Sequence, residues 1–248
     1  MAVDQSVMEA VGRGASPPTI RFYGFRPPCL SIGRFQPLSH VNREACLSLG
    51  IDLVRRPTGG RALLHREDFT YMVALPLELL PASVEESYTL ICRGIVKALR
   101  ELGIKAGMAT RPRTPGRDIR ACFTVPASAD LTVGGKKICG SAQTRAGGAL
   151  LQHGTILRRR DTDLLLDLLV PEGKPEEEVR AEFEESCIGL EELGSEVAWG
   201  EIEEAMVSGF SGAFNVRLIP DSLTEEEKER SEYLLEVYSS EEWCGCVL

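Results

Sequence analysis

Residues 69–75 read FTYMVAL, apolar at nearly every position and partly aromatic or β-branched. A half-exposed strand would alternate apolar with polar residues, so a run without alternation reads as a buried strand. The clearest helix in the chain follows it. Ser83 and Glu86 form a capping box, Val84, Tyr88, Ile91, Ile95, Leu99 and Leu102 recur at helical spacing, and Gly103 ends the pattern. Strand and helix together call for a mixed α+β architecture, with a β-sheet flanked by helices.

Further elements fit that class. MAVDQSVMEAV has Val3, Val7 and Val11 at helical spacing, while PTIRFYGF and CLSIGRF read as strands parted by an RPP turn. VNREACLSLG reads as a short helix ending at Gly50, and IDLVRR as a strand entering Pro-Thr-Gly-Gly. Residues 110–120 read as an irregular basic loop. DLTVGG, KKICGSAQ and ALLQHGTIL read as a strand meander with glycine-rich turns. From Asp161 onward the pattern is helical and acidic, and Thr224 with Glu227 caps the last helix. No linker or repeat interrupts the chain, so residues 1–248 read as one domain.

Charge is unevenly spread. Residues 1–160 carry 23 Lys and Arg against 12 Asp and Glu, and residues 161–248 carry 5 against 25. The acidic part reads as a solvated helical surface and the basic part as a face for an acidic partner. Nucleic acid fits poorly, because neither a basic helix nor basic-aromatic interleaving is present. No apolar run approaches a membrane span, no leader opens the chain and no prenylation box closes it, which reads as a soluble, cytoplasmic protein.

Eight cysteines are scattered through a chain with an ordinary apolar fraction of 43%, so a disulfide framework is not needed. Cys29, Cys46, Cys92 and Cys139 lie in apolar runs as small hydrophobes, and Cys244 and Cys246 form a CxC at a frayed end. Three histidines make a zinc site an unattractive reading, and no metal or cofactor is expected.

Two motifs carry chemistry. In RRPTGGRALLH, residues 55–65, glycines permit close backbone approach and the arginines offer forked donors for a carboxylate, phosphate or carbonyl. The alternative is a basic hairpin turn; the Walker spacing of a phosphate loop is missing. In GGKKICGSAQTR, Lys137 and Cys139 are two residues apart and share a strand face, with Lys136 and Ile138 opposite. An inward lysine could orient a carbonyl or favour a thiolate, or sit solvated at a strand end. His153, followed by Gly154, reads as a hydrogen-bonded histidine lining a pocket.

Together MAVDQSVM, IRFYGF, LSIGRFQ, VRRPTGGRALLH, TYMVAL, ACF, GKKICGSAQTR, LQHGTIL and YSSEEW resemble, in order, the biotin/lipoate protein ligase superfamily, and within it the cysteine-dependent octanoyltransferase branch. The resemblance implies that fold, with a strand ahead of the first helix that this sequence lacks. It implies Cys122, of the CF pair, as nucleophile and Lys137 as the residue that lowers its pKa and orients the acyl carbonyl. Arg56, Thr58, Gly59, Gly60, Arg61, His65, Gly140, Ser141, Ala142, His153 and Gly154 are implied in substrate binding. The relatives that activate free lipoate with ATP carry a third glycine where Arg61 stands, and the histidine-proximal cysteine of other octanoyltransferases is absent from GALLQHG. Arg66 and Thr124 stand where the branch often has acidic residues.

The implied reaction takes octanoyl from octanoyl-acyl carrier protein and passes it to a lysine of a lipoyl-domain protein, such as the glycine cleavage H protein or a dehydrogenase E2 lipoyl domain. Other readings are an amidotransferase between lipoyl-domain proteins, an ATP-dependent lipoate ligase, and a non-catalytic binding module on the same scaffold.

Overall fold

A computed structural model describes residues 1–109, 130–170, 173 and 175–245. The N-terminal half contains α1 (Ala2–Gly12), β1 (Thr19–Tyr23), β2 (Cys29–Ile32), α2 (Arg43–Ser48), β3 (Asp52–Arg55), β4 (Leu63–His65), β5 (Phe69–Pro76) and α3 (Val84–Glu101). There follow β6 (Gly107–Met108), β7 (Leu131–Val133), β8 (Lys136–Ala146), β9 (Ala149–Ile156), α4 (Thr162–Asp167), α5 (Glu176–Ser186), α6 (Trp199–Phe214), α7 (Glu225–Ser239) and α8 (Glu241–Gly245).

The strands form two sheets. Six run in the antiparallel order β1-β5-β9-β8-β7-β6, and three in the order β3-β2-β4, with β2 parallel to β3 and antiparallel to β4. The strands on either side of the RPP turn therefore enter different sheets. β4, inside the ALLH end of the first motif, is a short strand that the sequence pattern did not announce.

Burial on both faces explains the apolar character of β5. Phe69, Tyr71 and Val73 point into the largest core with Ile91, Ile95 and Leu99 of α3 and Ile202, Met206 and Phe210 of α6. Met72 and Ala74 point the other way, against Val7, Met8 and Val11 of α1. A third core packs Leu30 and Ile32 of β2 against Cys46, Leu165, Leu168 and Phe183 beneath the small sheet.

The helix starts are held as their sequences suggest. Ser83 Oγ accepts from the Glu86 N–H, and Thr224 and Glu227 cap each other reciprocally. The acidic α7 is more than a solvated surface, however. Glu227 is buried, accepts from Ser16 Oγ, and offers its backbone carbonyl to Ser6 Oγ, which fastens α7 to α1.

Nor is the end of the chain frayed where it is described. Past α7, the short α8 docks on β3: the Trp243 indole N–H donates to the Arg55 carbonyl at 2.8 Å, and Arg55 returns Nε and Nη2 to the Cys244 carbonyl at 3.0 and 2.8 Å. Among the described residues no helix is long and apolar enough to cross a membrane.

Candidate active site

The first motif organises itself. Arg55 is fully buried and sends Nη1 to the carbonyls of Gly33, Arg34 and Gln36. Arg56 is also buried. Its Nη1 donates to the Ser31 carbonyl and Oγ, both at 3.1 Å, while Nε and Nη2 reach the Gly59 carbonyl and Nη2 reaches that of Arg61 at 2.7 Å. The forked donors expected to meet a ligand thus hold the Pro-Thr-Gly-Gly turn and its neighbour β2. Gly60 has φ +100°, and its carbonyl lies only 1.9 Å from where a Cβ on Gly33 would stand, so both positions require glycine.

Between this turn, β4, β8 and β9 lies a small cleft, open to solvent. Arg56, Gly59, Gly60 and His65 line one wall. Gly140, Ser141, Ala142, His153 and Gly154 line the facing wall, where β8 and β9 pair Ser141 with Gly154 and Ala142 with His153. A Cβ on Gly154 would stand 2.5 Å from Ser141 Oγ, 2.6 Å from the Gly140 carbonyl and 2.7 Å from the Tyr71 ring. Thr58 stands behind His153, and Arg61 contributes its carbonyl to Arg56; neither lines the cleft.

Each cleft histidine sits between a hydroxyl and a carboxylate. His65 Nε2 is 2.9 Å from Ser31 Oγ and its Nδ1 is 2.7 Å from Asp68 Oδ2, with the Phe25 ring stacked on the imidazole at 4.1 Å. His153 Nε2 is 2.6 Å from Thr58 Oγ1, and its Nδ1 is 3.7 Å from Asp4 Oδ2, outside hydrogen-bond range. Burial holds the His153 pKa below the ordinary imidazole value, the facing Asp4 opposing that shift. Asp4 also accepts from Arg21 Nη1 at 2.8 Å and from the Tyr23 hydroxyl at 2.6 Å. Burial alone would raise its pKa; the positive charge around it, Arg21 included, holds it well below the carboxylate range.

Lys137 is not solvated. It is 3% exposed, and its Nζ is 2.8 Å from Asp130 Oδ2, a carboxylate 2% exposed. It lies outside the lining of the cleft; Lys136, its neighbour, donates to the Glu184 carbonyl instead. Cys139 is buried in the main core with Ile138. Burial pushes the Cys29 and Cys187 thiols up to about 12 and raises those of Cys46, Cys92 and Cys244. Cys122, the basic loop before it and Thr124 lie outside the described residues. Among the described residues no cluster of three His, Cys, Asp or Glu side chains could hold a metal ion.

Sequence reasoning missed Asp4, Tyr23, Phe25, Ser31 and Asp68. Two had a legible signal. Asp4 shares the helical face of Val7, Met8 and Val11, so it is a charge on a buried stripe. Asp68 follows His65 by three residues and precedes a buried strand. It supplies the carboxylate; Arg66, which stands where the resemblance implies one, pairs with Asp161 on the surface.

Comparison with known proteins agrees with this fold. The lipoyl protein ligase A/B catalytic domain family matches residues 1–211. Octanoyltransferase LipM of Symbiobacterium thermophilum is 42% identical, and that of Kyrpidia tusciae 44% identical, each alignment covering 98% of this chain and 92% of the relative. Among solved structures, lipoate-protein ligase A bound with ATP superposes with a TM-score of 0.81 at 26% identity, over 100% of this chain and 93% of that one. A bipartite lipoate protein ligase from Thermoplasma acidophilum, studied with its E2 lipoyl domain, gives the same TM-score and identity over 100% and 91%. With its two-sheet fold and the paired glycine-rich walls of its cleft, the chain belongs to the lipoyl protein ligase A/B catalytic domain family.

Proposed function

We propose that the protein transfers an octanoyl group from octanoyl-acyl carrier protein to a lysine of a lipoyl-domain protein, by way of a thioester on Cys122. Relatives about as long as this chain, at 37–44% identity, carry octanoyltransferase names, which supports octanoyl transfer for protein lipoylation.

What carries the cysteine assignment is the CF position of Cys122 in its likeness to the octanoyltransferase branch, and the state of the other thiols supports it. A nucleophilic cysteine needs thiolate, and burial disfavours it at Cys29, Cys46, Cys92, Cys187 and Cys244, while Cys139 is sealed in the core. Of the two remaining cysteines, Cys246 belongs to the terminal CxC, and Cys122 follows a basic loop and occupies the CF position of the octanoyltransferase branch.

In the first half-reaction the Cys122 thiolate attacks the donor thioester and the carrier thiol departs. The lysine amine then attacks the acyl-enzyme and leaves as the amide, a downhill exchange that needs no ATP. Lys137, drawn inward by Asp130, supplies positive charge near the face that carries Cys139 and Ser141. The backbone N–H of Ser141 is suited to the developing oxyanion, since Gly140 and Ala142 turn their N–H groups to β9 while among the described residues β7 pairs with β8 only as far as Cys139. The glycine walls leave an open slot for the acyl chain.

The solved neighbour bound with ATP favours a second reading, ligation of a free acid. Purified protein, a lipoyl domain and octanoyl-acyl carrier protein without nucleotide separate the two. Octanoyl amide is the expected product; amide only from octanoate plus ATP would replace the transferase by the ligase.

A further inference from the structure

We infer that Ser31, His65 and Asp68 form the proton relay that deprotonates the acceptor lysine in the second half-reaction. This rests on the acyl-thioester reading. A lysine reaches the acyl-enzyme as an ammonium, which is not a nucleophile, so a group in the cleft must take a proton from it before attack.

The candidates can be compared. Lys137 is held by Asp130 and lies outside the cleft lining. His153 lines the cleft, but its Asp4 stands at 3.7 Å and is already engaged by Arg21 and Tyr23. His65 lines the cleft through β4, with Asp68 at 2.7 Å and Ser31 at 2.9 Å. Asp68 is buried, and its second oxygen, Oδ1, has no hydrogen-bond partner among the described residues. The hydrogen bonding of that carboxylate is therefore concentrated on His65, while the stacked Phe25 fixes the ring plane.

For a neutral imidazole, one proton arrangement satisfies every contact. Nδ1–H donates to Asp68, Ser31 O–H donates to Nε2, and Arg56 Nη1 donates to Ser31 Oγ. Asp68 sets the tautomer, as the buried carboxylate does in a serine-protease triad. Ser31 lines the cleft with its side chain buried, and the second lone pair of its Oγ is the acceptor this relay assigns to an N–H of the substrate ammonium.

The proton passes from nitrogen to Ser31 Oγ as the Ser31 proton passes to His65 Nε2, giving an imidazolium facing Asp68. The free amine attacks the thioester carbonyl, the C–N bond forms and the C–S bond breaks. The second nitrogen proton leaves with the cysteine sulfur as thiol, and the imidazolium returns its proton to water at the open cleft. His65 and Ser31 are catalytic; Asp68 is a positioning residue.

The test isolates the second step. Octanoyl-enzyme is prepared from octanoyl-acyl carrier protein, purified, and its discharge is timed by mass spectrometry against a purified lipoyl domain and against hydroxylamine, which is largely uncharged at neutral pH and needs no deprotonation. His65→Gln keeps an acceptor toward Ser31 but cannot carry a proton.

The ratio of lysine to hydroxylamine discharge should fall about 100-fold or more in His65→Gln and about 10-fold or more in Asp68→Asn. An unchanged ratio, whether both rates hold or both fall together, overturns the relay. If His65→Gln does not fold, Ser31→Ala reads the same ratio with the same meaning. Failure of the wild type to form any octanoyl-enzyme overturns the thioester reading instead, and the relay with it.

Discussion

Arg56→Lys separates a scaffold arginine from a ligand-binding one. In the structure the guanidinium bridges three backbone carbonyls, those of Ser31, Gly59 and Arg61, from different edges of one plane. A lysine ammonium is a single point and keeps no more than one of these contacts in good geometry. The two carbonyls left without it sit around a side chain only 5% exposed, so water is a poor substitute. At about 1.5–3 kcal/mol per charge-assisted bond, the loss is about 3–6 kcal/mol. That is a large share of the ~5–15 kcal/mol that separates folded from unfolded protein. For a chain of this size it corresponds to a Tm lower by roughly 6–24 °C. Thermal unfolding followed by circular dichroism, with urea unfolding alongside, measures it. A variant that melts with the wild type but needs far more donor substrate would refute the argument and return Arg56 to the ligand.

Gly154→Ala should cost about 2–3 kcal/mol, because its Cβ meets Ser141 Oγ, the Gly140 carbonyl and the Tyr71 ring below 3 Å and β9 is paired on both edges; an unchanged urea midpoint would contradict the crowding. Asp130→Ala breaks a buried ion pair and should cost about 3–5 kcal/mol, with coupling to Lys137→Met in a double-mutant cycle; a cycle without coupling would mean the two do not act as a pair. Asp4→Asn should flatten the acid limb of stability. A carboxyl whose folded pKa is depressed gives stability that is full above its ordinary value of about 3.9 and declines as pH falls below it. Wild type should lose more stability than the variant along that limb, and parallel curves would remove Asp4 from the account.

What was legible in the sequence was what local chemistry decides. FTYMVAL announces burial on both faces, and the Ser83 and Thr224 caps announce helix starts, because each signal is complete within a few residues. The partners were not legible. Arg56 looks like a donor for a ligand until β2 brings the Ser31 carbonyl beside it. Asp4 and His153 are 149 positions apart and meet only because α1 packs on β9. The separation of β1 from β2 into two sheets, and the docking of Cys244 on Arg55, are likewise decisions of tertiary packing. The cysteine motif ACF was readable only through its likeness to a family, since eight cysteines with no distinguishing local chemistry leave the nucleophile open.

The central claim is the acyl-thioester on Cys122, and intact mass tests it most directly. After mixing with octanoyl-acyl carrier protein, wild type should gain one octanoyl group that hydroxylamine removes, and Cys122→Ala should gain none. Folded wild type that stays unmodified, or an alanine variant that still acquires the group, would contradict the account.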